Sequence, residues 1–585
     1  MNLEFMQKTI RKARGLEDSD LVLKNANIVN VFTHTIVSKD IAINDGKITG
    51  IGSYTGKEEH DLNGAYVLPG LIDAHIHIES TLASPLRVSL PLLKRGTTVL
   101  MADPHEIVNA GGKAGLDYML EEAALSPLDI YVMMPSSVPS TGFETNGAGD
   151  FMARDMEPYV KNHQVFGLGE VMRFHDVLNG DKCMLEILET FEGRPIDGHA
   201  PGVHGRDLMA YRLAGITSDH EAVNADEAIE KLEAGLHLFL REGSGAQNLE
   251  AILQGLIEKG VSLENCSFCT DDKHLEEIET RGHIDWCLKK AVDVGADPIE
   301  AVCMATIQSA RHFGLKEHGA VAPGYLADLV IVKDLKDFEI IDVYKNGKPY
   351  AQIEEEFTKA MSSSENAKTE AERRKRFAPL YHSVHLPTFQ ADDLPVFSGD
   401  LHRIELIPGE LLTHDGTMYV EDGEDPLAMP GISQLVLCER YGKTGAVQSC
   451  LVKGFGLKGG AIASSFAHDA HNVIAIGDNR EDLACAINAL TEMNGGYALA
   501  SHGRVQAALP LEVGGLMSEA APEEIVEKQN RLIALAQSMG IEKGVDPFTS
   551  LAFLALPVIP ELRLTDKGLF DTVKQTFVSS GATYE

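Results

Sequence analysis

Residues 20–68 alternate short apolar runs with turn residues. DLVLKNANIVNV, TIVSKDIAIN and KITGIGS are rich in β-branched side chains, and Asn44-Asp45-Gly46 supplies a tight turn between two of them. This pattern predicts β-strands. A second patch of the same kind, ADLVIVKD and IIDVYKNGKPY, falls at 327–350. The two patches are expected to pair in one small, sandwich-like β-domain. It would use residues 1–68 together with 321–352, with everything between them inserted as a unit.

Within the insert, 69–320, the pattern changes. Eight apolar runs follow one another: AYVLPGLIDAHIHI, TTVLMAD, DIYVMMPS, VFGLGEV, RPIDGHA, ITSDHE, LHLFLREG and SFCTDD. Amphipathic segments such as GGKAGLDYMLEEAAL and ADEAIEKLEAG separate most of them. Alternating strands and helices imply parallel βαβ units, and eight such units predict an α/β fold, the (β/α)₈ TIM barrel. Residues 353–380 are polar and charged and read as a helical linker or surface segment. Residues 381–585 mix strand-like pieces (ISQLVLCERY, NVIAIG) with helical ones (REDLACAINALTEMNG, PEEIVEKQNRLIALAQSMG), which predicts a separate α+β domain.

Charge narrows the partners. A formal net charge of −36 argues against a nucleic-acid partner and against docking on anionic membranes. No uncharged apolar run reaches membrane-spanning length. The basic N-terminus lacks the apolar core of a secretory signal. The eight cysteines are scattered, with only Cys266 and Cys269 close together. They read as reduced thiols, so the cytoplasm is the expected compartment.

The chemistry-bearing residues lie at the ends of the predicted barrel strands. His75 and His77 close the first run two residues apart, so both imidazoles share one strand face. Glu170, His199, His220 and Asp271 end the fourth, fifth, sixth and eighth runs. From His77 to Glu170 is 93 residues, three steps of 31, and the later gaps of 29, 21 and 51 also suit whole βα units. In a (β/α)₈ barrel all these ends converge on one mouth. Mixed imidazole and carboxylate donors without thiolate predict a catalytic divalent-metal site rather than a structural zinc.

These stretches resemble the amidohydrolase superfamily, whose pattern is HxH on strand 1, a bridging ligand on strand 4, histidines on strands 5 and 6, and Asp on strand 8. VLPGLIDAHIHIES, ADPHEIVN, GLGEVM, DGHAPG, GITSDHE, LREGS and CTDDKH, with SSFAHDAHNVIAIG and MNGGYALA further on, resemble the adenine deaminase family within it. The resemblance implies two divalent ions, manganese or iron(II), with zinc as a third option. His75, His77, Glu170 and Asp271 would hold one and Glu170, His199 and His220 the other, Glu170 standing where many relatives carry a carboxylated lysine. It implies a purine base as the small-molecule partner, a homodimer, and attack of a metal-bridging hydroxide on C6 of adenine with Asp271 as general base.

Glu79 and Glu106 are the candidates to protonate N1 of the ring. A salt-bridged loop residue is the competing reading of Glu79. Asp272 is expected to accept from N7–H or the exocyclic amine, unless it caps a helix. Arg241 and Ser244 are expected to line the substrate pocket, with His105 and His274 as secondary contacts. His468, Asp469 and His471 either bind metal, close over the substrate or form a polar turn. The alternative activity is deacetylation of an N-acetylated amino sugar, which also tolerates Glu on strand 4.

Overall fold

The first long apolar run divides at Gly70. Tyr66–Pro69 pairs antiparallel with Leu329–Val332, whereas Leu71–Ile76 (β1) pairs in parallel with Thr97–Ala102 (β2). Only a glycine fits this switch, because a Cβ would lie 2.3 Å from Thr98 Oγ1. The computed structural model describes residues 3–407, 412–541 and 546–584, with backbone alone for 364–367. On one side of Gly70 lies an eight-stranded sheet built from strands within 19–69 and 329–349. Leu23, Ile28, Ile41, Val67, Leu329 and Ile331 are buried together there, so the two strand-rich patches share one core.

On the other side, β1 and β2 continue in parallel through Asp129–Met134 (β3), Val165–Val171 (β4) and Ile196–Gly198 (β5). Ser218–Asp219 (β6), His237–Arg241 (β7) and Cys266–Cys269 (β8) form a second parallel sheet. The sheets meet at both edges. Thr217 N–H donates to Ile196 O at 2.8 Å, and Asp271 N–H donates to His75 O at 2.9 Å. The result is a curled parallel sheet. Ile72, Ala74, Val99, Met101, Met133 and Phe239 share one buried cluster. Burial on both faces explains why these strands read as unbroken apolar runs rather than alternating ones.

Beyond the second patch lie two helices, Tyr350–Met361 and Ser364–Arg376. The segment is not merely a surface one. Arg373 is buried and pairs with Glu122 at 2.6 Å on one side and Glu519 at 3.3 Å on the other. The last third of the chain carries an eight-stranded mixed sheet spanning 399–510. Helix Arg480–Glu492 packs Leu483, Ile487 and Leu490 against Val436, Ala475 and Ala498 of that sheet. Among the described residues every cysteine is free, and no helix is long and apolar enough to cross a membrane.

Candidate active site

Strand period and strand ends decide what meets at the mouth of the curled sheet. His75 and His77 leave β1 on one face, Glu170 sits near the end of β4, and His199 and His220 directly follow β5 and β6. Asp271 follows β8 by two residues with φ +58°, a left-handed conformation that turns its carboxylate inward. These six side chains come together.

Glu170 lies at the centre. Its Oε1 is 3.2 Å from His77 Nε2 and 4.0 Å from His75 Nε2. Its Oε2 is 2.5 Å from His199 Nδ1 and 3.3 Å from His220 Nε2. Asp271 Oδ1 completes the first group, 3.0 Å from His77 Nε2 and 3.6 Å from His75 Nε2. One carboxylate therefore faces two pairs of imidazoles, one with each oxygen.

The surroundings fix these orientations. His77 Nδ1 donates to the Asp103 carbonyl at 2.9 Å, which leaves the Nε2 lone pair aimed into the cluster. Asp103 Oδ2 accepts from Glu170 N–H at 2.8 Å. That approach requires Gly169, where a Cβ would stand 2.2 Å from Asp103 Oδ2. Tyr211 Oη accepts from His199 N–H at 3.0 Å and donates to Val171 O at 2.9 Å. Buried Lys231 binds Asp219 at 2.7 Å and Ala200 O at 3.0 Å, pinning the turn after β5 to the end of β6. Asp103 and Lys231 were not anticipated from the sequence. Asp103 had a usable signal, since it ends the second apolar run.

The donor set fits cations. His75 is fully buried, yet neither ring nitrogen has a hydrogen-bond partner among the described residues, and His220 Nδ1 is in the same state. Burial alone would lower the basicity of His75, but Asp197 and Asp271 outweigh it and push the imidazole up to about 10. Burial likewise opposes ionisation of Glu170, and the charge of His199 with hydrogen bonds from His199, His220 and His77 reverses it, holding the carboxyl well below its usual range. A pocket of anions that draws protons onto buried imidazoles is one in which divalent cations would take the protons' place.

The remaining candidates divide. Glu79 is fully buried. Its Oε1 accepts from Ile107 N–H at 3.1 Å while Oε2 has no partner among the described residues. Burial, then the charge of Glu106, pushes its carboxyl up to about 7. Glu106 is instead clamped. Its Oε1 faces His468 Nδ1 at 2.9 Å and its Oε2 contacts His471 Nε2. Those two imidazoles overcome the effect of burial and hold Glu106 well below the ordinary carboxyl range.

Arg241, expected to meet substrate, is buried and spends its guanidinium on Glu221 and on Asp271 Oδ2, the latter at 2.9 Å. Ser244 donates to Glu277 at 2.9 Å and accepts from His274 N–H at 2.9 Å, so its hydroxyl is also engaged within the protein. Asp272 Oδ1 accepts from Ser80 Oγ. His274 bridges Ser80 O at 3.0 Å and Thr549 Oγ1 at 2.9 Å. His105 packs on His77, with ring centroids 4.5 Å apart, and places Nδ1 3.5 Å from Glu170 Oε1. His468, Asp469 and His471 lie in and beside a polar turn before the strand Val473–Gly477, as one of the sequence readings expected, and all three are buried, with both histidines against Glu106.

Comparison with known proteins agrees with this geometry. Residues 66–350 match the amidohydrolase family, and residues 410–576 match the adenine deaminase C-terminal domain. The chain is 42% identical to an adenine deaminase of Desulfitobacterium hafniense over 99% of both chains. It is 42% identical to one of Kosmotoga olearia over 97% of both, and 39% identical to one of Clostridium acetobutylicum over 98% of this chain and all of that one. Histidines and carboxylates gathered at the strand ends, two matching domains and relatives aligned over almost their whole length lead to one assignment: this chain belongs to the adenine deaminase family of amidohydrolases.

Proposed function

We propose that the chain hydrolyses adenine to hypoxanthine and ammonia at the mouth of a closed (β/α)₈ barrel. The observation that carries this reading is Glu170, with Oε1 3.2 Å from His77 and Oε2 3.3 Å from His220, in a chain whose near-full-length relatives are adenine deaminases. Two hydrogen-bonded seams join the parallel sheets and support the closed barrel.

His75, His77, Glu170 and Asp271 would hold one divalent ion, and Glu170, His199 and His220 the other. Manganese or iron(II) suits these donors, with zinc as a third option. Such ions supply Lewis acidity and lower the pKa of water from 15.7 toward neutrality. The chain's own groups then move protons. Asp271 accepts a proton from the attacking water and returns it to the departing amine. Arg241 on its Oδ2 keeps the other oxygen turned toward the histidines. Glu79, with one oxygen tied to Ile107 and the other free, donates to N1 of the ring and regains its proton from the second hydrogen of the attacking water. The clamp on Glu106 favours Glu79 for this role. Asp272 receives the amine or a ring N–H. Arg241 and Ser244 position Asp271 and the loop after β8.

The test is direct. Manganese-loaded protein is incubated with adenine, adenosine or guanine, and hypoxanthine and ammonia are quantified. Stoichiometric conversion of adenine alone is expected. Failure to deaminate adenine, with release of acetate from an acetylated amino sugar instead, would replace this reading by the deacetylase one.

A further inference from the structure

The third of the chain outside the barrel reaches the mouth through two histidines, and they are not equivalent. His471 is sealed, with 0% of its side chain exposed, whereas His468 keeps 8%. The covered parts of His468 are identifiable. Its Nδ1 faces Glu106 Oε1 at 2.9 Å. One ring face stacks on Phe553, with centroids 4.7 Å apart and planes at 25°. Phe466 meets it edge-on at 5.2 Å. Among the described residues no group hydrogen-bonds its Nε2, which leaves that nitrogen available to a ligand.

His468 borders the site. Phe553 lies over the loop after β7, since a Cβ on Gly245 would touch its ring at 3.7 Å. Thr549, on the same helix Pro547–Phe553, holds His274 beside Asp272. Glu106 connects back to the metal-ligand cluster, because His105 Nε2 is 3.6 Å from its Oε1.

We propose that His468 is a substrate-binding residue contributed by the C-terminal domain, presenting Nε2 to a ring nitrogen of the purine, and that Glu106 is the positioning residue that acts through it. With Nδ1 2.9 Å from a carboxylate and Phe553 stacked on one face, the ring is held in a defined plane. The barrel mouth alone would then hold the ions and the proton-moving groups but grip the base incompletely. This inference rests on the deaminase reading and deepens it.

The experiment compares full-length, metal-loaded wild type with His468→Ala, His468→Gln, Glu106→Gln and the His468→Ala/Glu106→Gln pair. Readouts are kcat and KM for adenine, hypoxanthine binding by calorimetry, and bound metal. Losing one hydrogen bond predicts a KM and a hypoxanthine Kd raised about tenfold in His468→Ala, with kcat within about threefold and metal content unchanged. Glu106→Gln, whose amide oxygen still accepts from Nδ1, should raise KM less, and adding it to His468→Ala should cost nothing further.

Unchanged KM in His468→Ala, or multiplicative penalties in the pair, would overturn the proposal. If His468→Ala does not fold, His468→Gln is judged by the same criteria. Wild type inert toward adenine would remove the functional reading and this inference together. An active wild type with unaffected variants removes this inference alone.

Discussion

Replacing Glu170 by Gln is the most informative perturbation of the site. The two side chains have nearly the same shape, so packing is preserved while one negative charge is lost and one oxygen becomes an NH₂ donor. Either orientation aims that NH₂ at nitrogens that need acceptors or cations. It would face His77 in one orientation and His199 and His220 in the other. Removing one partner from a buried charge cluster costs about 3–5 kcal/mol. At about 1.4 kcal/mol per decade, that weakens cation binding by roughly a hundred- to several-thousand-fold. Both ions would be affected, because one residue serves both groups. The assay is metal content by mass spectrometry after gel filtration, run beside circular dichroism and adenine turnover. The expected result is a folded protein with far less than two equivalents of metal and no measurable turnover. Two retained equivalents with a normal rate would refute the shared-carboxylate reasoning.

Four further outcomes follow. Asp271→Asn should lower turnover by about 10²–10⁴ with an unaltered fold, the range for loss of a positioned acid–base group, and near-wild-type turnover would contradict the base role. Glu79→Gln should cost a similar 10²–10⁴ in kcat while leaving the metal content intact, and a smaller loss than in Glu106→Gln would reverse the assignment between the two acids. Gly169→Ala should displace Asp103, release both Glu170 N–H and His77 Nδ1, and appear as metal loss in a folded protein, whereas full occupancy would contradict that support. Arg373→Ala leaves the buried Glu122 carboxylate without its arginine, while Glu519 keeps Arg374, and should destabilise the fold by about 3–5 kcal/mol, read as a lower denaturation midpoint.

The legible parts of the sequence were those with a short period. The strands of the curled parallel sheet stood out as apolar runs because burial on both faces removes polar alternation. His75 and His77 shared a face by the strand period of two. Glu170, His199, His220 and Asp271 could be placed because each closes a run, and a parallel curled sheet gathers such ends. The fold boundary inside AYVLPGLIDAHIHI was hidden, since Tyr66–Pro69 and Leu71–Ile76 read as one continuous strand-like run, and the switch between sheets lies at Gly70, packed on Thr98. Charge misled at Arg373, where a highly charged helix reads as solvated although two distant carboxylates bury its guanidinium. The clamp of His468 and His471 on Glu106 was beyond any local signal. It depends on how residues far along the chain pack against the strand ends of the curled sheet. Arg241 and Ser244 illustrate the same limit, because residue type at a strand end does not show whether a side chain faces ligand or a neighbouring acid.

Everything proposed for the site turns on two cations sharing Glu170. Anomalous scattering at the manganese edge from crystals of the manganese-loaded protein tests it most directly. Two peaks per chain are expected, one among His75, His77, Asp271 and Glu170, the other among Glu170, His199 and His220. A single peak, or peaks that leave Glu170 uncoordinated, would contradict it.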